Sequence, residues 1–277
     1  MPDLDLPRSV VLALWLAAGA DRLSARPSDR PSSRLLEPLP DAALRGVQAD
    51  DEPHTVVDAD GDPRTLAEAL GAWLAPDLDV VALLPAPGEV AGVPAAVSAA
   101  ALDARELVLL RSGGACRALV PEVTAFGSAL EPGHLVTWRE TEVPDWVLAV
   151  QGLGSLEDAD RGLRRGLVDV TDALVRLDVA HWDDEHAAQV VALREAGVPT
   201  WRLPDRLDAR RGRTLASAAR LLAIVDLAAR DDGGAVNLWQ ADQRSAALRD
   251  VDRLARRALS AVTFAGPAAG PQASTPR

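Results

Sequence analysis

Three short stretches of the chain hold residue types that chemistry needs. TVVDADGDP, residues 55–63, places Asp58 and Asp60 two apart at the end of an apolar run. Two carboxylates so spaced can share one divalent cation and one phosphoryl oxygen. PAPGEVAGVP, residues 85–94, follows the apolar run LDVVALL. Gly88 and Gly92 permit close backbone approach to a ligand, and amides entering the following helix can hold an anion, although Glu89 opposes a phosphate. HWDDEH, residues 181–186, sets His181 and His186 beside three acids, which invites a metal or acid–base reading. Five residues apart on a helix, the two imidazoles point ~140° from each other and cannot share one metal. The same residues read more simply as a helix start. Asp183 serves as N-cap, Asp184 and Glu185 meet the positive end of the dipole, and Gly197 and Pro199 close the helix.

What is missing narrows the chemistry further. The chain has no lysine and no tyrosine. That removes the Walker A lysine, the Schiff-base lysine of pyridoxal phosphate enzymes and the kinase β3 lysine. Cys116 is the only cysteine, so neither an intramolecular disulfide nor a cysteine-based zinc or iron–sulfur site can form. In SGGACRALV, alternation places Cys116, Ala118 and Val120 on one strand face as buried apolar groups. No cofactor is called for. Alanine, leucine, arginine, aspartate and valine dominate, with glycine and proline common, while residues with AT-rich codons are scarce, the signature of a high-GC genome.

Asp58-x-Asp60-Gly61 after a strand resembles the first motif of the haloacid-dehalogenase-like phosphohydrolases. The resemblance implies a nucleophilic first Asp, a second that handles the proton, and Mg²⁺ beside both. It covers these few residues only, and Asp62 stands where that family has Thr or Val. A plain turn followed by an N-cap at Asp62 and a helix from Pro63 accounts for the same residues.

Charge is uneven. Residues 1–150 carry −12 and residues 151–277 carry none. The acidic half repels nucleic acid and anionic lipid. Arg249, Arg253, Arg256 and Arg257 share one face of the predicted last helix. That face can hold an acidic partner, including this chain's own acidic half, or lie solvated with internal pairs such as Asp252–Arg256.

These residues need elements to position them. VVLALWLAAGA, residues 10–20, reads as a buried first helix: it is too short to span a bilayer and lacks a basic leader. Residues 44–150 read as a mixed sheet of about five strands with a βαβ unit. From Ser155 the pattern turns helical, with a Ser155/Asp158 capping box, apolar residues seven apart from Leu156, and an apolar helix from Leu215 to Ala229. The expectation is an α+β fold: a sheet-containing region 1–150, a bundle-like helical region 151–265 and a disordered tail 266–277.

VALLPAPGEVAGV and DDGGAVNLWQADQRSAALRDVDRLARRAL resemble pieces of an uncharacterised actinobacterial protein family. The resemblance implies a bacterial cytoplasmic origin and no particular activity. The sequence is therefore read as a non-catalytic cytoplasmic interaction or regulatory protein. It would bind a protein partner or itself, and neither nucleic acid nor membrane. The alternatives are a Mg²⁺-dependent phosphohydrolase using Asp58 and Asp60, and a small-ligand regulator using the 85–94 loop.

Overall fold

The computed structural model describes residues 3–25, 39–49, 51–128, 130–176, 189, 192–193, 195–230 and 238–265. In chain order the elements are α1 (Arg8–Ser24), α2 (Leu39–Val47), β1 (His54–Val57), β2 (Pro63–Thr65), α3 (Leu66–Trp73), β3 (Asp79–Leu83) and α4 (Ser98–Ala104). There follow β4 (Leu107–Ser112), β5 (Ala115–Gly127), β6 (Pro132–Glu142), α5 (Val147–Val150), α6 (Leu156–Arg176), α7 (Ala209–Arg230) and α8 (Leu238–Thr263). The α+β class and the mixed sheet stand as expected.

The strands form one sheet in the order β2-β1-β6-β5-β4-β3. Only β1 and β6 pair in parallel; the other neighbours are antiparallel. The sequence places the parallel pairing between the strands flanking α3. The structure instead sends β3 to the far edge and fills the place beside β1 with β6. The sheet also has a sixth strand, because Pro63–Thr65 turns back along β1. The helix expected from Pro63 therefore begins at Leu66, and its N-cap is Thr65, not Asp62. Thr65 and Glu68 form a reciprocal capping box that satisfies two amides otherwise left open at the helix start.

Alternation along the strands divides the interior into two clusters. Val56, Val80, Ala82, Leu119, Val136 and Trp138 face a large one, shared with α1, α3, α7 and α8. Val81, Leu83, Leu107, Leu109, Cys116, Ala118 and Val120 face a smaller one, closed by Val97, Ala101, Trp146 and Val150. Cys116 thus lies where strand alternation puts it. Helix α1 is buried on every side between Val10 and Ala17, as its unbroken apolar run requires. Its Trp15 indole donates to the Arg202 carbonyl at 2.9 Å. Gly46 of α2 makes room for that ring, since a Cβ there would lie 2.2 Å from the Trp15 nitrogen.

The helical half is joined to this frame. Ser155 and Asp158 cap α6 reciprocally, as their spacing predicts. Val251, Ala255, Ala258 and Val262 of α8 are buried in the large cluster. The Ala82 amide donates to the Thr263 hydroxyl at 2.9 Å, and Ala265 exchanges two backbone hydrogen bonds with Val80, so the end of α8 covers the outer edge of β3. No helix among the described residues is long and apolar enough to cross a membrane.

Candidate functional site

Asp58 lies at the carboxyl end of β1, buried, and heads a tight turn into β2. One carboxylate oxygen accepts the amides of Asp60, at 3.0 Å, and Asp62, at 2.9 Å; the other accepts the Arg64 guanidinium. The Asp62 amide, with Arg64 and the Asp60 amide, holds this carboxyl below its ordinary range. Both oxygens are thus engaged within its own hairpin. Asp60 is exposed at the tip of the turn.

The loop and the arginine face, separate candidates in sequence, meet in space. Glu89 accepts a hydrogen bond from Arg256 at 2.9 Å on one carboxylate oxygen, and its other oxygen forms an ion pair with Arg253 at 2.8 Å. Arg256 also donates to the Leu84 carbonyl at 2.9 Å and to Asp252 at 2.8 Å. The acid that opposes phosphate binding is therefore an internal counter-ion joining the two halves of the chain. Arg249 and Arg257 are exposed on α8 and take no part in this clamp. The close approach that Gly92 permits is made by the chain's own Val150 and Leu83, while Gly88 faces open space. β3, from which this loop leaves, lies antiparallel to β4 instead of in a parallel pair.

His181 and His186 lie outside the described residues. What is described beyond them fits a helix end: the Ala196 amide donates to the Ala192 carbonyl at 2.9 Å, and Arg220 donates to the carbonyls of Leu193 and Ala196. A cation on terminal carbonyls is the expected complement of a helix C-terminus.

A buried polar chain that the sequence did not signal links α1 to the sheet. The Trp138 indole, which can only donate, gives its proton to His54 Nδ1 at 3.1 Å. His54 Nε2 therefore carries the ring proton and donates it to Glu52 at 3.1 Å. Arg8 donates to both Glu52 oxygens, through Nε at 3.0 Å. Burial alone would raise the Glu52 pKa, but the bonds from His54 and Arg8 prevail and lower it to about 2. Nearby, Glu106 accepts the Ser9 amide at 2.8 Å at the start of α1, and its burial pushes its pKa up. With both imidazole nitrogens engaged, His54 has no lone pair for a substrate.

A cavity of about 560 Å³ opens between the end of α1 and the β4–β5 turn. Three of its four acids are held in place: Asp79 and Asp145 by Arg111, and Asp77 by the Ser112 hydroxyl and the Gly113 amide; Asp21 of α1 is the fourth. The wall is mixed, with Ala20, Pro76, Leu78 and Ala265 beside these polar groups.

The unspent groups lie elsewhere. β5 and β6 continue together past the end of β4 as a two-stranded arm, and every residue of β5 from Glu122 to Gly127 is exposed. Phe126 covers Gly133 across the strands, where a Cβ would meet the ring at 2.6 Å. Val123, Phe126, Leu130 and Leu135 are 43%, 49%, 93% and 37% exposed. They gather four of the eight large exposed apolar groups among the described residues on one projection. Among the described residues nothing pairs with the outer side of β5 along this arm.

Residues 37–151 match a family model described as the N-terminal domain of Rv1486c-like proteins, and residues 157–260 match the corresponding C-terminal domain. No curated protein and no solved structure matches the chain.

Proposed function

This chain belongs to the Rv1486c-like family, an uncharacterised actinobacterial family, and we propose that it is a non-catalytic cytoplasmic interaction protein that binds through its β5–β6 arm. The observation that carries this reading is the outer side of β5, unpaired among the described residues, a row of backbone donors and acceptors flanked by exposed apolar side chains. The groups that a hydrolase would need are committed elsewhere. An attack by Asp58 on phosphorus requires it first to give up an amide or Arg64. A ligand held by the 85–94 loop would have to displace Arg253 and Arg256 from Glu89.

The test sets this reading against the phosphohydrolase. Mg²⁺ titration and a panel of phosphate esters are run on the parent and on Asp58→Asn. The expected result is no turnover and the same weak Mg²⁺ response in both. Clear turnover in the parent that disappears in Asp58→Asn would replace the interaction reading with the enzyme.

A further inference from the structure

We infer that the partner of the arm is a second copy of this chain, joined edge to edge through β5 about a two-fold axis at Ala125. This rests on the arm being the interaction surface and adds who occupies it.

The hydrogen-bond register identifies the groups on offer. Ser128 and Glu131 exchange two backbone bonds of 3.2 Å and close the hairpin. In an antiparallel pair, bonded and non-bonded positions alternate. Counting back along the ladder, Phe126–Gly133, Thr124–Leu135 and Glu122–Thr137 bond to each other. Gly127, Ala125, Val123 and Pro121 turn their backbone groups outward. Two prolines check the count: Pro121 and Pro132, which lack an N–H, both fall at positions that need none within the pair. So does β6, whose outward amides at His134 and Val136 donate to Asp51 at 2.9 Å and Pro53 at 3.0 Å.

The two sides of the arm therefore differ. The outer side of β6 is covered by residues 51–53, while that of β5 loses its β4 partner beyond Leu119 and gains no other among the described residues. Exposed edges are ordinarily blunted by charge or proline. Between Val123 and Leu130 this chain has neither.

Self-pairing about Ala125 engages the outward groups at the centre of the exposed run. Ala125 lies opposite Ala125, where outward N–H meets outward C=O in both directions, and Val123 of one copy comes beside Gly127 of the other, whose φ of +85° bends the end of the strand. The smallest side chain of the run sits at the axis. Glu122 falls opposite Ser128, so carboxylate does not meet carboxylate. Phe126 falls opposite Thr124, on the face that carries Leu135. A two-fold at Thr124 would instead set Pro121, with no N–H, against Gly127. The charge distribution agrees, since residues 1–150 carry −12 and two copies meet with least repulsion along an uncharged run.

The full chain is measured by size-exclusion chromatography with light scattering. The parent should have twice its 29.1 kDa mass at micromolar concentration. Ala125→Pro removes an outward N–H without breaking a bond to β6, and Ala125→Arg sets two like charges at the axis. Both should run as monomers with the parent's circular dichroism. With Cys116→Ser as background, Ala125→Cys should cross-link into a dimer under mild oxidation and Leu148→Cys, exposed elsewhere, should not. A parent that stays monomeric, a dimer that survives Ala125→Arg, or equal cross-linking at Leu148 would overturn the inference. The phosphate-ester panel then decides separately whether the non-catalytic reading stands.

Discussion

Asp58 and Glu52 show how differently a carboxylate can be committed. Asp58 is visible in sequence because DADGD is dense with acids, yet its carboxylate organises a turn. Glu52 sits in the unremarkable DEPH, yet it anchors Arg8 and His54. No local pattern gives it away, since its partners come from α1 and, through His54, from Trp138 on β6. Two acids of this network make opposite contributions to stability against pH. The Glu52 pKa is depressed to about 2, so its stabilisation is full above the ordinary glutamate range and is lost as pH falls from about 4.5 toward 2. A shift of that size corresponds to on the order of 3 kcal/mol. Glu106 is raised by burial, so its contribution is greatest below the ordinary range and is lost as pH rises through its elevated pKa. Thermal melts across pH should show Glu52→Gln flattening the acid limb and Glu106→Gln flattening the decline on the neutral side. Identical pH profiles in parent and variants would show that these groups do not couple to folding.

Among the elements, β2 is the most informative departure from the sequence-based expectation. Asp62-Pro63 has the chemistry of a helix start, and Thr65-x-x-Glu68 three residues later has it too. Asp60-Gly61 is also a hairpin signal, and it prevails because β1 would otherwise be an open edge, which the three residues of β2 cover. The cap therefore moves to Thr65. Thr65→Ala should cost about 1 kcal/mol in urea unfolding, and Asp62→Ala distinctly less. The reverse order would mean that the helix starts at Pro63 after all. Elements with a complete local signal, such as α1, the Ser155 cap and α8, were legible from sequence. The parallel partner of β1 was not. β6 lies some eighty residues onward, and nothing local in either strand names the other.

At the scale of the whole molecule, pairings between distant residues decide how the candidate sites function. Glu89 and the pair Arg253 and Arg256 were each legible as charged groups, and the sequence allowed that the arginines could hold this chain's own acidic half. It could not identify Glu89 as the acid, since more than 160 residues separate them. Once paired, they form a clamp across the two halves, with α8 packed on the sheet and Ala265 closing the edge of β3. Beyond Leu119 the outer side of β5 has no backbone partner among the described residues. Residue-resolved amide exchange, followed as a function of protein concentration, tests this most directly. The amides of Thr124 and Phe126 bond to β6 and should be protected at every concentration. Those of Val123, Ala125 and Gly127 should exchange rapidly in dilute solution and become protected as concentration rises. Rapid exchange of these three at all concentrations, with no partner engaging them, would contradict an interface on this edge.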